Sequence, residues 1–145
     1  LYGLAESEYI SKIILIKKRA IRIISKAPFN AHTEPLFRGL GILNFSNTLE
    51  CQFSMLMWQH DHGDLPACFN NYFKRVNVIH THNTRAASSN KLSENILVST
   101  DLHGKKMIQF IGPRVFNKIV GLDFYKSCNS KVGFKKKMKQ YLIEN

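Results

Sequence analysis

This sequence has few acidic residues, few cysteines and no long apolar run. Its 145 residues include 10 Asp and Glu against 21 Lys and Arg, and three cysteines. The longest apolar run near the start covers residues 13–16, which is far too short to cross a membrane, and the first residues show no signal-peptide pattern. We therefore expect an intracellular protein, nuclear or cytoplasmic, that has no membrane partner.

The cysteine and histidine spacings exclude the common structural zinc motifs. Cys51, Cys68 and Cys128 form no C-x-x-C pair and cannot all join in disulfides, which fits a reducing compartment. Two H-x-H pairs occur, at residues 60–62 and 80–82, and no cysteine stands at zinc-ligand spacing from either pair. We predict that this segment contains no metal ligands.

The acidic residues are too dispersed for a two-metal active site. Such a site needs carboxylates clustered within a few ångströms, and the chain contains no Asp-Asp pair. Asp61 and Asp64 form the closest acidic pair in the middle of the sequence, at a predicted helix end. Neither a P-loop nor a G-x-S-x-G elbow is present. We predict that this segment has no catalytic residue, needs no cofactor and is not itself an enzyme.

A formal net charge of +11 is the strongest signal in the composition. A cationic surplus of this size attracts polyanions and favours nucleic acid or an anionic membrane surface as partner. Six Lys and Arg fall between residues 12 and 26, and five Lys fall between residues 131 and 139. Each group occupies the face of a predicted helix opposite an apolar stripe. If these two helices pack by their stripes, the basic faces flank one groove.

We predict that these two basic faces bind the phosphate backbone of RNA or of an RNA–DNA duplex without reading its sequence. Each Lys or Arg that neutralises a phosphate releases counterions, so such a face needs no base contacts. Tyr72, Phe73 and Tyr125 can stack on bases. The alternatives are solvated helix faces, or a membrane-surface or calmodulin-type helix over residues 12–26. The predicted phosphate contacts on the two helices are Lys18, Arg19, Arg22, Lys26, Lys135, Lys136 and Lys139.

The hydrophobic periodicity predicts a mainly α fold, a small helical domain with a short irregular β or extended insert around residues 74–111. The chain is a single domain or a fragment with three parts. These are a helical part (1–73), the insert (74–111) and C-terminal helices (112–145). The last helix runs from a Ser130 cap to Ile143.

N-cap residues, prolines and glycines predict where the earlier helices begin and end. The first spans residues 6–26 and ends because the residue before a proline avoids the helical region. Thr33 caps a second, short helix. A long third helix begins at a Ser46 or Asn47 cap and ends near His62, where a glycine follows.

The insert lacks helical periodicity. Val76, Val78 and His80 alternate like a strand, and residues 107–111 look like a short extended piece. A short helix follows, with Pro113 in its first turn.

The stretch HTHNTR, residues 80–85, combines two histidines with an amide, a hydroxyl and a guanidinium. His80 and His82 would share a face on a strand and could chelate, but a turn or solvent position is favoured. Asn83 and Thr84 can tie a turn through side-chain-to-backbone hydrogen bonds. Arg85 either anchors the loop to the helices or contacts phosphate, and we place the anchor slightly ahead.

Eight short stretches of the chain, taken in order, resemble those of one protein family. They are YG (2–3), KKRAIRII (17–24), HTEPLF (32–37), GIL (41–43), LP (65–66), HTHNTR (80–85), GPRVFN (112–117) and FKKKMKQYL (134–142). In this order and spacing they resemble the region just after the reverse-transcriptase domain of non-LTR (LINE-type, jockey-like) retrotransposons. The resemblance covers nearly the whole chain, with His82 where that family usually has Tyr and Phe116 where it usually has Trp.

The resemblance implies a thumb-like and post-thumb helical segment that grips template–primer. Its partners would be RNA, the RNA–DNA duplex and the upstream polymerase domain of the same polypeptide. The polymerase carboxylates, and the divalent metal they bind, would lie in that upstream domain, so the parent protein would be an RNA-directed DNA polymerase. The chain starts at Leu1 rather than Met, which we take to indicate a fragment or a truncated copy. A segment that packs on the polymerase body, or a decayed element copy without function, is the alternative.

Overall fold

A computed structural model gives the structure of residues 7–79, 91–94 and 108–145. These residues are mainly helical, which confirms the predicted fold class. A 3₁₀ turn at Ala67–Phe69 stands between the third and fourth helices. The helices are α1 (Ser7–Ile24), α2 (Thr33–Gly39), α3 (Phe45–Asp61), α4 (Val76–Ile79), α5 (Ile108–Ile119), α6 (Asp123–Ser127) and α7 (Lys131–Glu144).

The chain forms two compact units. Unit 1 comprises Leu1–Cys51 and Lys136–Asn145, and unit 2 comprises Gln52–Lys135. The boundaries fall inside α3 and α7, whereas the sequence suggests divisions after residues 73 and 111.

In unit 1, buried apolar side chains and a few polar contacts hold α1, α2 and the end of α7. Ile21 of α1 and Phe37 of α2 are buried. The side-chain amide of Asn47 donates to the Leu142 carbonyl at 2.7 Å, which ties the start of α3 to the last turns of α7. Met138 is fully buried on the same helix.

Unit 2 is built around stacked aromatic rings. Trp58, Phe116 and Phe134 are almost completely buried, and the rings of Trp58 and Phe134 stack with centroids 5.6 Å apart. Tyr125 meets Phe116 and Phe134 edge-on at 6.1 Å and 5.8 Å. Edge-on and stacked pairs are the favourable ring geometries, so this cluster stabilises unit 2 beyond its buried area.

Asp61, the last residue of α3, joins three parts of unit 2. Its carboxylate pairs with the Arg75 guanidinium and accepts the Tyr125 hydroxyl hydrogen bond at 2.8 Å. Burial, and then the adjacent Asp61 carboxylate, raise the pKa of Tyr125, so its hydroxyl stays protonated and can donate. The guanidinium also lies 5.9 Å from the centre of the Phe116 ring.

Asn117 holds the short extended segment that precedes residues 95–107. Its amide oxygen accepts the Leu92 N–H at 2.9 Å, and its amide nitrogen donates to the Leu92 carbonyl at 3.0 Å. Arg75 and Leu92 form an isolated antiparallel bridge, the β pairing found within the described ranges. The last residue of the GPRVFN stretch, Asn117, therefore fixes the backbone of Leu92 through its side-chain amide.

Two predicted extended pieces are wrong. Val76 and Val78 lie in the one-turn helix α4, and residues 108–111 form the first turn of α5. Pro113 consequently lies in the interior of α5 rather than in its first turn. Proline removes one intrahelical hydrogen bond there, and burial of Pro113 in the unit 2 core offsets that cost.

Helix caps differ from the prediction at α2 and α3. Thr33 is already helical, and no side-chain cap precedes it. Asn44 caps α3, because its side-chain oxygen accepts the Asn47 N–H at 2.8 Å, so neither Ser46 nor Asn47 has this role.

The predicted Ser130 cap of α7 is confirmed. Its hydroxyl oxygen accepts the Gly133 N–H at 3.1 Å.

Gly112 occupies a position in α5 where the core leaves no room for a side chain. A Cβ at residue 112 would lie 2.8 Å from the Phe73 ring and 2.9 Å from the Met57 sulfur.

We expect Gly112→Ala to lower the free energy of unfolding by about 1–3 kcal/mol, the usual cost of overpacking. Urea denaturation followed by the fluorescence of Trp58 measures it. Gly121→Ala is the control, because a Cβ there meets no atom within 4 Å, and equal stability of the two variants would contradict the account.

His60 gives unit 2 a pH dependence. Burial lowers the pKa of His60 from its ordinary value of 6.5, Asp61 opposes this shift and Arg75 adds to it. The unfolded chain therefore takes up a proton below pH 6.5 more readily than the folded chain, so stability falls as pH falls through this range. We expect the urea midpoint to drop more between about pH 7.5 and 5.5 in the wild type than in His60→Gln, which cannot titrate. Equal drops would exclude His60 as the cause.

Candidate nucleic-acid interface

The predicted basic face of α1 lies at the protein surface. Lys18, Arg19 and Lys26 are exposed, and Arg22 is partly buried. At 3.6 residues per turn Lys18, Arg19 and Arg22 span about 100° of the helix circumference, and Lys26 lies just beyond the end of α1. The three helical side chains therefore project from one side of α1 and can meet one strand of phosphates.

Lys26 has a backbone conformation that normally selects glycine. It follows α1 with φ of 51°, in the left-handed region. The Lys26 N–H bonds to the Ile23 carbonyl at 3.1 Å and the Ala27 N–H to the Arg22 carbonyl at 2.9 Å, which is the Schellman helix ending. Glycine adopts this conformation without a steric cost, whereas lysine does not. The chain thus keeps a cation here at some expense of stability.

Phe29 lies beside these cations and is 81% exposed. It lines an open depression of about 500 Å³. Ile23, which is 77% exposed, lies on the same surface. The lining residues are Arg19, Arg22, Ile23, Lys26, Ala27 and Phe29.

Arg22 fixes the loop that carries Phe29. Its Nε donates to the Ala31 carbonyl at 2.9 Å, and its guanidinium carbon lies 5.9 Å from the centre of the Phe29 ring. A cation near an aromatic face is attracted by the ring quadrupole, so Arg22 positions both the loop and the ring.

The neighbouring residues Lys17 and Lys18 have different roles. Lys17 Nζ donates to the Leu43 carbonyl at 2.8 Å and to the Thr48 hydroxyl at 3.1 Å. It also lies 5.9 Å from the centre of the Phe37 ring, and burial lowers the pKa of Lys17. Lys17 therefore belongs to the internal structure of unit 1, whereas Lys18 is exposed and available to a ligand.

The predicted contacts on α7 are also at the surface. Lys135, Lys136 and Lys139 are exposed, while Phe134 and Met138 of the same helix are buried. This separation of faces is the one that the sequence predicts. The contacts of α1 described above join it to α2 and α3, so a single groove between α1 and α7 stays a prediction.

Arg85, the eighth predicted contact, lies outside the described residues. The same holds for His80 and His82, so the two roles considered for the HTHNTR stretch stay predictions. Asn117 fixes Leu92 a few residues downstream of this stretch.

The histidines of the first H-x-H pair pack against aromatic rings. His62 stacks on Trp58 with centroids 3.9 Å apart, and its Nδ1 lies 2.9 Å from the Trp58 carbonyl oxygen. His60 meets the Phe73 ring edge-on at 4.9 Å. Among residues 7–79, 91–94 and 108–145, no three His, Cys, Asp or Glu side chains lie close enough to hold a metal ion.

Two of the three predicted stacking aromatics are buried. Phe73 and Tyr125 are only 6% and 4% exposed, so their rings contribute to the core of unit 2 and cannot stack on a base. Tyr72 is partly exposed at 39%. Phe29 is an exposed aromatic residue that shares a depression with three cations, and sequence patterns did not single it out.

In the part of the chain that the structure describes, no helix has both the length and the apolar character of a membrane span.

Comparisons with protein families, with curated proteins and with solved structures find no match to this chain. The function proposed below therefore depends on the residues and on their geometry.

The contrast between Lys17 and Lys18 can be tested by the same substitution at both positions. We expect Lys17→Met to lower the free energy of unfolding by about 1 kcal/mol, because the Leu43 carbonyl and the Thr48 hydroxyl lose a charged donor. Lys18→Met should leave stability unchanged and weaken binding to nucleic acid. Urea denaturation and fluorescence anisotropy with a labelled RNA–DNA hybrid measure the two effects. The distinction is wrong if both variants are equally stable.

Proposed function

We propose that this chain is a nucleic-acid-binding segment of a retrotransposon RNA-directed DNA polymerase. It holds RNA or RNA–DNA template–primer by backbone electrostatics and supplies no catalytic carboxylates. The polymerase reaction and its divalent metal belong to an upstream domain of the same polypeptide, and the segment works where that polypeptide acts, in the nucleus or the cytoplasm.

The observation that carries this proposal is the exposed basic face of α1. Lys18 and Arg19 are exposed on one side of the helix, Lys26 is exposed just after its end, and the Arg22 guanidinium lies 5.9 Å from the centre of the Phe29 ring. The cations of the chain outnumber its carboxylate side chains by 11. Phosphate groups are the anions whose spacing along a strand suits a row of Lys and Arg.

The exposed lysines of α7 add a second basic surface. Lys135, Lys136 and Lys139 follow one another along the helix, opposite the buried Phe134 and Met138. These lysines contact the backbone without selecting a base sequence, which suits a protein that must move along its template.

A second candidate function is packing against the polymerase body, and the exposed apolar residues of α1 favour it. Tyr9, Ile16 and Ile23 recur every seven residues and are 58%, 65% and 77% exposed. Exposed apolar patches mark protein contacts.

Sedimentation of the isolated chain tests this function, because a contact surface without its partner should self-associate. Ile16→Glu should then favour the monomer, whereas a wild-type chain that is already monomeric at high concentration argues against this candidate.

Nucleic-acid binding has a quantitative signature in its salt dependence. The logarithm of the association constant for an RNA–DNA hybrid should fall linearly with the logarithm of the salt concentration. We expect Arg19→Gln or Lys139→Gln each to reduce the magnitude of this slope by about 0.9, one phosphate contact, without loss of stability. Fluorescence anisotropy at several salt concentrations measures the slope.

Lys126→Gln is the matched control for this series. Lys126 is exposed and has the same charge, but it belongs to neither basic face. Its slope should equal that of the wild type. Binding that does not weaken with salt, or equal slopes for all variants, would contradict the proposed function.

A further inference from the structure

We propose that the depression around Phe29 binds an unpaired nucleotide, whose base stacks on the Phe29 ring while its flanking phosphates contact Arg19, Arg22 and Lys26. This inference deepens the proposed function and rests on it, because it assigns to one end of α1 a preference for single-stranded nucleic acid. The partner is thus a single-stranded stretch of RNA or DNA.

The Phe29 side chain is exposed to solvent. A phenylalanine that is 81% exposed leaves its ring in water, which is unfavourable for a large apolar side chain. Arg22 stands over the ring at 5.9 Å and also bonds to the Ala31 carbonyl at 2.9 Å. Arg22 therefore lies close to the ring and bonds to the loop that carries it, and an exposure of 81% leaves most of the ring surface open to a ligand.

The depression that contains the Phe29 ring is positively charged. Three cations, Arg19, Arg22 and Lys26, line the same depression. Its volume of about 500 Å³ is in the range of small-ligand sites. Cations that follow the backbone, together with an aromatic platform for the bases, are the two elements of single-strand binding sites.

Lys26 has a left-handed backbone conformation. Its φ of 51° favours glycine, yet the chain has a lysine whose side chain lines the depression. Strained backbone of this kind is found at binding sites, where the surrounding structure compensates its cost. A lysine at this position is explained if its ammonium group contacts a ligand.

An unpaired base fits this site better than a duplex does. Bases inside a duplex are stacked on one another, so their faces are not available to Phe29, whereas a single strand presents them. An anionic membrane would also meet cations beside apolar side chains such as Ile23. We favour the nucleotide because three cations line the same depression as one exposed ring, and the experiment below includes the membrane as a separate outcome.

The experiment compares Phe29→Leu with the wild-type chain by fluorescence anisotropy. The ligands are a labelled single-stranded RNA, the same RNA with abasic residues, and an RNA–DNA hybrid of the same length. We expect Phe29→Leu to weaken binding to the single strand about tenfold, which is within the range for loss of one stacked base. It should leave binding to the hybrid and to the abasic RNA unchanged within about twofold.

Two further variants make the test independent of folding. Phe29→Trp should keep the affinity, and its added tryptophan fluorescence should be quenched by the single strand, above the background of the buried Trp58. Lys26→Gly should bind the single strand more weakly and yet unfold at a higher urea concentration, because glycine relieves the backbone strain. Tyr9→Leu removes another exposed aromatic side chain, one that does not line the depression, and as the control it should bind as the wild type does.

The outcomes separate this inference from the proposed function. If Phe29→Leu and the wild type bind the single strand equally, the stacking site is wrong, while salt-dependent binding to the hybrid still supports the proposed function. If no nucleic acid binds at low salt, both are wrong. If vesicles of anionic phospholipid bind the wild type but not Phe29→Leu, and the RNA does not distinguish them, the depression is a membrane site and the inference is overturned.

Discussion

The surplus of cations over carboxylates constrains the polar contacts of this protein. With 21 Lys and Arg against 10 Asp and Glu, the cations outnumber the acidic side chains by 11. Two of them are held by neutral oxygens instead, Lys17 by a carbonyl and a hydroxyl and Arg22 by a carbonyl. Asp61 serves the core of unit 2, where one carboxylate binds both Arg75 and Tyr125. Lys18, Arg19 and Lys26 are exposed, and their positive charge makes an anionic polymer the natural ligand.

The helix α1 combines the structural and the proposed binding roles on different faces. Lys17 and Ile21 face the rest of unit 1, and Lys18, Arg19 and Lys26 face solvent. Arg22 lies between these groups and connects them, since the same guanidinium ties the loop to Ala31 and stands over Phe29. A change at Arg22 would therefore alter stability and binding together, which makes it a poor test of either. Lys18 and Phe29 are better probes because each is exposed.

Sequence patterns predicted the elements that depend on many residues and missed those that depend on a few. The apolar stripes of α1 and α7 extend over several turns, so their periodicity identified both helices and their basic faces. Val76, Val78 and His80 gave only three alternating positions, which are too few to distinguish a strand from a single helical turn. Pro113 suggested a helix start because proline is usual there, but tertiary packing in unit 2 accommodates it within α5. The environment of Phe29 and the internal bonds of Lys17 depend on how the chain returns on itself, and no local pattern encodes that.

The most direct test of the central claim is the reactivity of individual lysines toward an amine-modifying reagent, measured by mass spectrometry with and without a saturating RNA–DNA hybrid. We expect the hybrid to protect Lys18, Lys26 and the exposed lysines of α7. Lys126 should react equally in both states, and Lys17 should react slowly in both because its amine is already bonded. Equal reactivity of Lys18 and of the α7 lysines with and without the hybrid would contradict the claim that these cations hold nucleic acid.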